Sequence, residues 1–159
     1  MQDQRVAPIE VAADKPITPN TDAINLDITS TSVTGTYQAG DEVFLTIKSS
    51  ANGFVNCYLE SGGVFARIFP NRFSPDGFIS SAGFVALPDS PAYSVTADAD
   101  GEMIHCMMTT REVITELPGA LRLADFEALP ISSKDEISAA YNQVTSGRYG
   151  EATYTIRLQ

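Results

Sequence analysis

The feature that most restricts this chain is strict alternation of apolar and polar residues over short runs separated by turn formers. Ile24, Leu26 and Ile28 are apolar, and Asn25 and Asp27 between them are polar. Val43, Leu45 and Ile47 repeat the pattern, with Thr46 and Lys48 interleaved. Successive strand residues point to opposite faces, so runs of this kind make strands with one buried face. Further strands are predicted over 54–59, 64–69, 84–87, 93–97 and 102–110. Gly40-Asp41, Ser61-Gly62-Gly63 and the Asp98 to Gly101 stretch supply turns between them. The Gly-Gly pair provides the positive φ angles of a tight hairpin, and Pro70 ends the return strand because it cannot donate to a ladder. The run 102–110 has few charges and apolar residues on both faces, so cover is expected on both sides. The spacing predicts a mainly β fold, an antiparallel Ig-like β-sandwich.

One or two short helices are expected before the last strand. Residues 121–129 form the weaker candidate, closed by Pro130. Residues 133–146 form the stronger one. Ser133 and Glu136 have capping-box spacing, Ile137, Ala140, Tyr141 and Val144 share a helical face, and Gly147 suits the left-handed position at the end. Ala152, Tyr154, Ile156 and Leu158 then alternate with polar residues, which predicts a final strand stitched into a sheet.

A chain of 159 residues with 43% hydrophobic content fits one domain with its own core. Its apolar runs are too short to cross a membrane. The net charge of −10 disfavours nucleic-acid phosphates and anionic membrane surfaces as partners. Residues 1–22 are polar, carry Pro8, Pro16 and Pro19, and show no helical or strand period. They are expected to be a flexible tether, with an ordinary frayed terminus as the plainer alternative, and residues 23–159 the sandwich domain. Met1 is followed by Gln2, Asp3, Gln4 and Arg5 with no apolar segment. That suits a cytosolic protein, or a mature chain that begins after a removed signal. The tether favours the second, hence a periplasmic or secreted location, with a lipid anchor as one version of it.

Within 64–88, Arg67-Ile68-Phe69-Pro70-Asn71-Arg72-Phe73-Ser74-Pro75-Asp76 is followed by Ala82-Gly83 and Leu87-Pro88. This block resembles the bacterial domain-of-unknown-function family 4384 (DUF4384). Tyr37, Gly40-Asp41, Gly53-Phe54 and Gly101-Glu102 are further landmarks of the resemblance, which runs over about 24–158. It implies an accessory module of bacterial envelope or secreted proteins, often attached to kinase, peptidase-like, repeat or peptidoglycan-binding domains. It brings no catalytic residues with it.

Cys57 and Cys106 fall in two predicted central strands. They read either as an inter-strand or inter-sheet disulfide, with about 2–4 kcal/mol of stabilisation in an oxidising compartment, or as buried thiols packed as small apolar residues. His105 is the single histidine and points away from Cys106, and there is no Cys-x-x-Cys, so no metal site and no cofactor are expected. A cysteine-dependent hydrolase is the least favoured reading, because mid-strand thiols are poorly placed for substrate. Asp98 and Asp100 read as turn residues, and Asp135 and Glu136 as favourable charges in a first helical turn. The loop 71–81 is the best candidate binding surface: Arg72, Phe73 and Phe78 are hot-spot residue types, with Asn71 and Tyr93 beside them. The plainer alternative folds the two phenylalanines back over the sandwich end and leaves Asn71 to cap a turn. The expected function is therefore non-catalytic binding of another protein in a bacterial envelope, with a small molecule or glycan as the alternative partner.

Overall fold

The computed structural model describes residues 23–159; the expected tether, 1–22, lies outside the described residues. The alternating runs form the strands β1 (Leu26–Ser30), β2 (Leu45–Ser49), β3 (Gly53–Ser61), β4 (Val64–Phe69), β5 (Phe78–Ile79), β6 (Val85–Leu87), β7 (Met103–Thr109) and β8 (Tyr149–Thr155). One α-helix, α1 (Lys134–Thr145), precedes β8. β1, β2 and β6 make a three-stranded antiparallel sheet with β2 in the middle. The larger sheet runs β4-β3-β7-β8, and β5 pairs with the first residues of β3. The fold is thus mainly β, with two antiparallel sheets packed face to face.

Between the sheets lie Leu45, Ile47 and Leu87 from one and Val55, Cys57, Ile104, Cys106 and Met108 from the other. Cys57 and Cys106 are direct cross-strand partners with Cα atoms 4.1 Å apart, and their sulfurs form a disulfide. The bond is therefore inter-strand, within one sheet. The outer face of the larger sheet carries a second core of Tyr58, Phe65 and Met107 against Val113, Leu117, Leu121, Leu129 and the helical residues Ile137, Ala140 and Tyr141. This explains why β7 is apolar on both faces. The Tyr58 and Tyr141 hydroxyls meet at 2.7 Å in the centre of this second core and tie α1 to the sheet. Burial holds the Tyr58 phenol up at about 12.

Three local expectations fail, each for an identifiable reason. Residues 121–129 do not make an α-helix. Two short 3₁₀ turns, Ile114–Glu116 and Gly119–Leu121, come first, and the chain then runs beside β4. There Phe126 N–H donates to Arg67 O (2.8 Å) and Leu129 N–H to Phe65 O (2.8 Å), which covers the otherwise unpaired edge of β4. Residues 93–97 do not form a full strand. Only the 95–97 part lies along 41–43, through Val43 N–H to Val95 O and Ala97 N–H to Asp41 O, because Tyr93 is turned toward Asp89. The capping box is also rearranged. Ser133 makes no side-chain cap, while the Glu136 carboxylate accepts from Ser132 N–H (2.8 Å) and Ser132 Oγ (2.9 Å). The left-handed turn at the end of α1 is shared between Ser146 (φ 54°) and Gly147 (φ 85°).

Candidate functional site

At the end of β4 the chain meets Pro70 and folds into a tight loop organised by Asn71. Asn71 is 4% exposed. Its Nδ2 donates to Ile68 O (2.8 Å), and its Oδ1 accepts from Phe73 N–H and Ser74 N–H (both 2.9 Å). These bonds make its side chain the organiser of the turn.

What the turn presents is Arg72 and Phe73. Arg72 forks onto Asp125: its backbone N–H donates at 2.6 Å to Oδ2 and its Nη2 at 2.8 Å to Oδ1. The carboxylate is buried beneath a guanidinium that is itself 61% exposed. These hydrogen bonds hold the Asp125 carboxyl below its ordinary range despite its burial. The guanidinium also lies 5.9 Å from the centre of the Phe126 ring, within cation–π range.

Phe73 stacks on Tyr93 (ring centres 6.3 Å, planes 14° apart), and Phe126 completes a three-ring cluster at 6.5 Å from Phe73 and 6.2 Å from Tyr93. Tyr93 Oη donates to Asp89 (2.8 Å), and burial keeps its phenol raised to about 12, so it remains a neutral donor. Phe73 and Phe126 stay 47% and 41% exposed, so the cluster caps the loop without leaving the surface. Arg72, Phe73 and Tyr93 are therefore brought together. Phe78 stands apart, in β5, edge-on to Phe54 of β3 at 5.9 Å. Phe126 and Asp125 were missed because both sat inside the predicted helix 121–129. The acidic–aromatic pair Asp125-Phe126, after an Arg-aromatic pair at 72–73, is the only sequence signal that pointed to them.

His105 lies on the outer face of the sheet, away from Cys106 as the strand period requires. Its ring is 3% exposed and bridges Glu60 Oε1 (2.7 Å) and Thr153 Oγ1 (2.9 Å) while stacking on Phe65. With both sulfurs bonded to each other, neither cysteine presents a thiolate. Among the described residues no cluster of His, Cys, Asp or Glu is arranged to hold a metal ion.

Residues 36–112 match the family model described as a domain of unknown function, DUF4384. Over that segment the chain is similar to the DUF4384 family. The match is shorter than the resemblance over 24–158 read from the sequence. It takes in β2 to β7, both cysteines, the Asn71 turn, Phe73 and Tyr93. It ends before Asp125, Phe126, α1 and β8, so the DUF4384 segment supplies only part of the aromatic cluster. No curated protein and no solved structure matches the chain.

Proposed function

We propose that this chain is a non-catalytic interaction module that binds another protein of a bacterial surface or secretion assembly through Arg72, Phe73, Tyr93 and Phe126. The observation that carries the reading is the three-ring cluster: large rings held in place by each other and by the Arg72–Asp125 fork, with Phe73 and Phe126 nearly half exposed. Preorganised aromatics beside an arginine lose little entropy on binding and are the residues on which interface energy concentrates. A disulfide is compatible with a periplasmic or secreted setting, where such bonds persist. No helix among the described residues is long and apolar enough to cross a membrane.

The test is capture from envelope extract with the wild-type chain and with Phe73→Ala/Phe126→Ala, followed by titration of the purified partner. A partner that binds wild type and loses at least tenfold in affinity with the double variant is the expected result. Equal binding by both proteins would remove the patch from the reading. A glycan seated on the same rings is the second reading, favoured by the near-parallel Phe73 and Tyr93 faces. A thermal shift with oligosaccharides that disappears in Phe73→Ala would choose it.

A further inference from the structure

The Asn71 loop has a second side. Behind it, between the outer face of the larger sheet and the chain at 112–124, lies a cavity of about 510 Å³. That volume falls within the range of small-molecule sites. Its apolar walls include Pro70, Pro75 and Leu123, and its charged groups are Arg67, Arg122 and Glu112.

Asn56 also lines this cavity, from the middle of β3. It is 1% exposed. Every other polar group buried on that face of the sheet has a partner: Tyr58 has Tyr141, His105 has Glu60 and Thr153, and Thr109 Oγ1 donates to Arg111 O (2.6 Å). The Asn56 carboxamide has no hydrogen-bond partner among the described residues. An amide held out of water without a partner costs free energy that an apolar residue of the same size would avoid. Its place at the cavity points to a group that fills it.

The charges say what kind of group. Arg67 is pinned as part of the wall, with Nε donating to Pro70 O and Nη1 to Leu123 O (both 3.1 Å), while its Nη2 has no acceptor among the described residues. Arg122 forms no ion pair among the described residues. Glu112 turns Oε1 to its own backbone, accepting from Ile114 N–H at 3.0 Å. In a chain of net charge −10, a cavity with two guanidinium groups and one engaged carboxylate is a local exception. Guanidinium forks pair with carboxylates through parallel N–H donors.

We propose that this cavity binds a small organic carboxylate, with the acid group at Arg67 and Arg122 and a neutral amide or hydroxyl of the ligand at Asn56. The site is separate from the aromatic cluster, although the 70–75 loop and the 122–126 segment contribute to both.

The test uses the whole chain and matched probe pairs, N-acetylphenylalanine against its amide and glucuronate against glucose, read by ligand-observed NMR and thermal shift. At least one acid should bind, and its neutral counterpart at least tenfold more weakly. Asn56→Leu should abolish binding and leave Tm unchanged or higher, because it removes an unsatisfied amide. Arg122→Gln should weaken binding five- to tenfold and reduce its salt dependence. Phe73→Ala should bind the acid as wild type does, which separates this site from the protein-binding patch. The proposal is overturned if no acid binds at millimolar concentration (a cavity filled by water only), if acid and neutral probe bind alike, or if Asn56→Leu lowers Tm while binding persists.

Discussion

Along β3 and β7 successive residues enter two different worlds. Val55, Cys57, Leu59, Ile104, Cys106 and Met108 face the smaller sheet, where the core is apolar and cross-linked. Asn56, Tyr58, His105 and Thr109 face the other way, under α1 and the irregular chain from 110 to 131. A sheet face closed by another sheet meets only side chains, because the backbone groups of both partners are spent on their own ladders. A face covered by irregular chain meets free carbonyls, hydroxyls and gaps, and can hold polar side chains at tolerable cost. The inner face therefore secures the fold, and the outer face and its flanking loops are where recognition chemistry has room. A cross-link on one side and polar pairs on the other make that division measurable.

The largest effect should come from the inner face. The disulfide joins residues 49 apart in sequence, and the chain-entropy relation gives about 4 kcal/mol for a loop of that length. Cys57→Ala/Cys106→Ala should lower the denaturant midpoint accordingly, and reductant should change the wild type but not the variant. Equal midpoints for the two proteins would mean that the inner face does not depend on its cross-link. On the outer face the expected cost is smaller. Tyr141→Phe leaves the Tyr58 hydroxyl buried without its partner and should cost about 1–2 kcal/mol. Adding Tyr58→Phe should recover part of that loss, since it removes the stranded group. A double variant that loses the sum of both single effects would show the two hydroxyls to be independent.

The strand pattern made the inner face legible, because a period of two assigns Cys57 and Cys106 to the same side as Val55 and Ile104 without any tertiary information. The helix 134–145 was legible for the same reason, through Ile137, Ala140 and Tyr141. The outer face was only half legible. Its cover is set by what the edge of β4 needs, and 121–129, with adequate helical residues, was drawn into that edge by the Arg67 and Phe65 carbonyls. Losing the helix hid Asp125 and Phe126, and with them half of the candidate surface. Asn56 was hidden differently: it sits in a strand whose alternation is otherwise unremarkable, and only the missing partner sets it apart.

The Arg72–Asp125 fork gives a pH test of the boundary between the faces. The Asp125 carboxyl is depressed in the folded chain, chiefly by the side-chain hydrogen bonds from Arg72. Its contribution is therefore fully present above the ordinary carboxylate pKa and is lost as pH falls through the lower, folded value. Wild type should lose stability in that acidic window faster than Asp125→Asn, whose amide does not titrate. The effect should be smaller than that of Tyr141→Phe, because the guanidinium is largely solvated. Parallel acid profiles for the two proteins would assign the depression no role in holding the loop.

The smallest stability effect should belong to the residue with the largest proposed consequence for binding. Phe73 is 47% exposed and its ring contacts are to Phe126, itself 41% exposed, and to the partly buried Tyr93. The turn beneath it is held by Asn71 through backbone N–H groups that do not depend on the ring. Phe73→Ala should therefore move stability by no more than about 0.5 kcal/mol, the usual range for surface substitutions. A larger loss, measured by chemical denaturation, would mean that the three rings are a lid on the fold and belong with the inner face in purpose. A change within that limit, accompanied by loss of partner binding, would place the cluster among the parts of the molecule kept for contact rather than for cohesion.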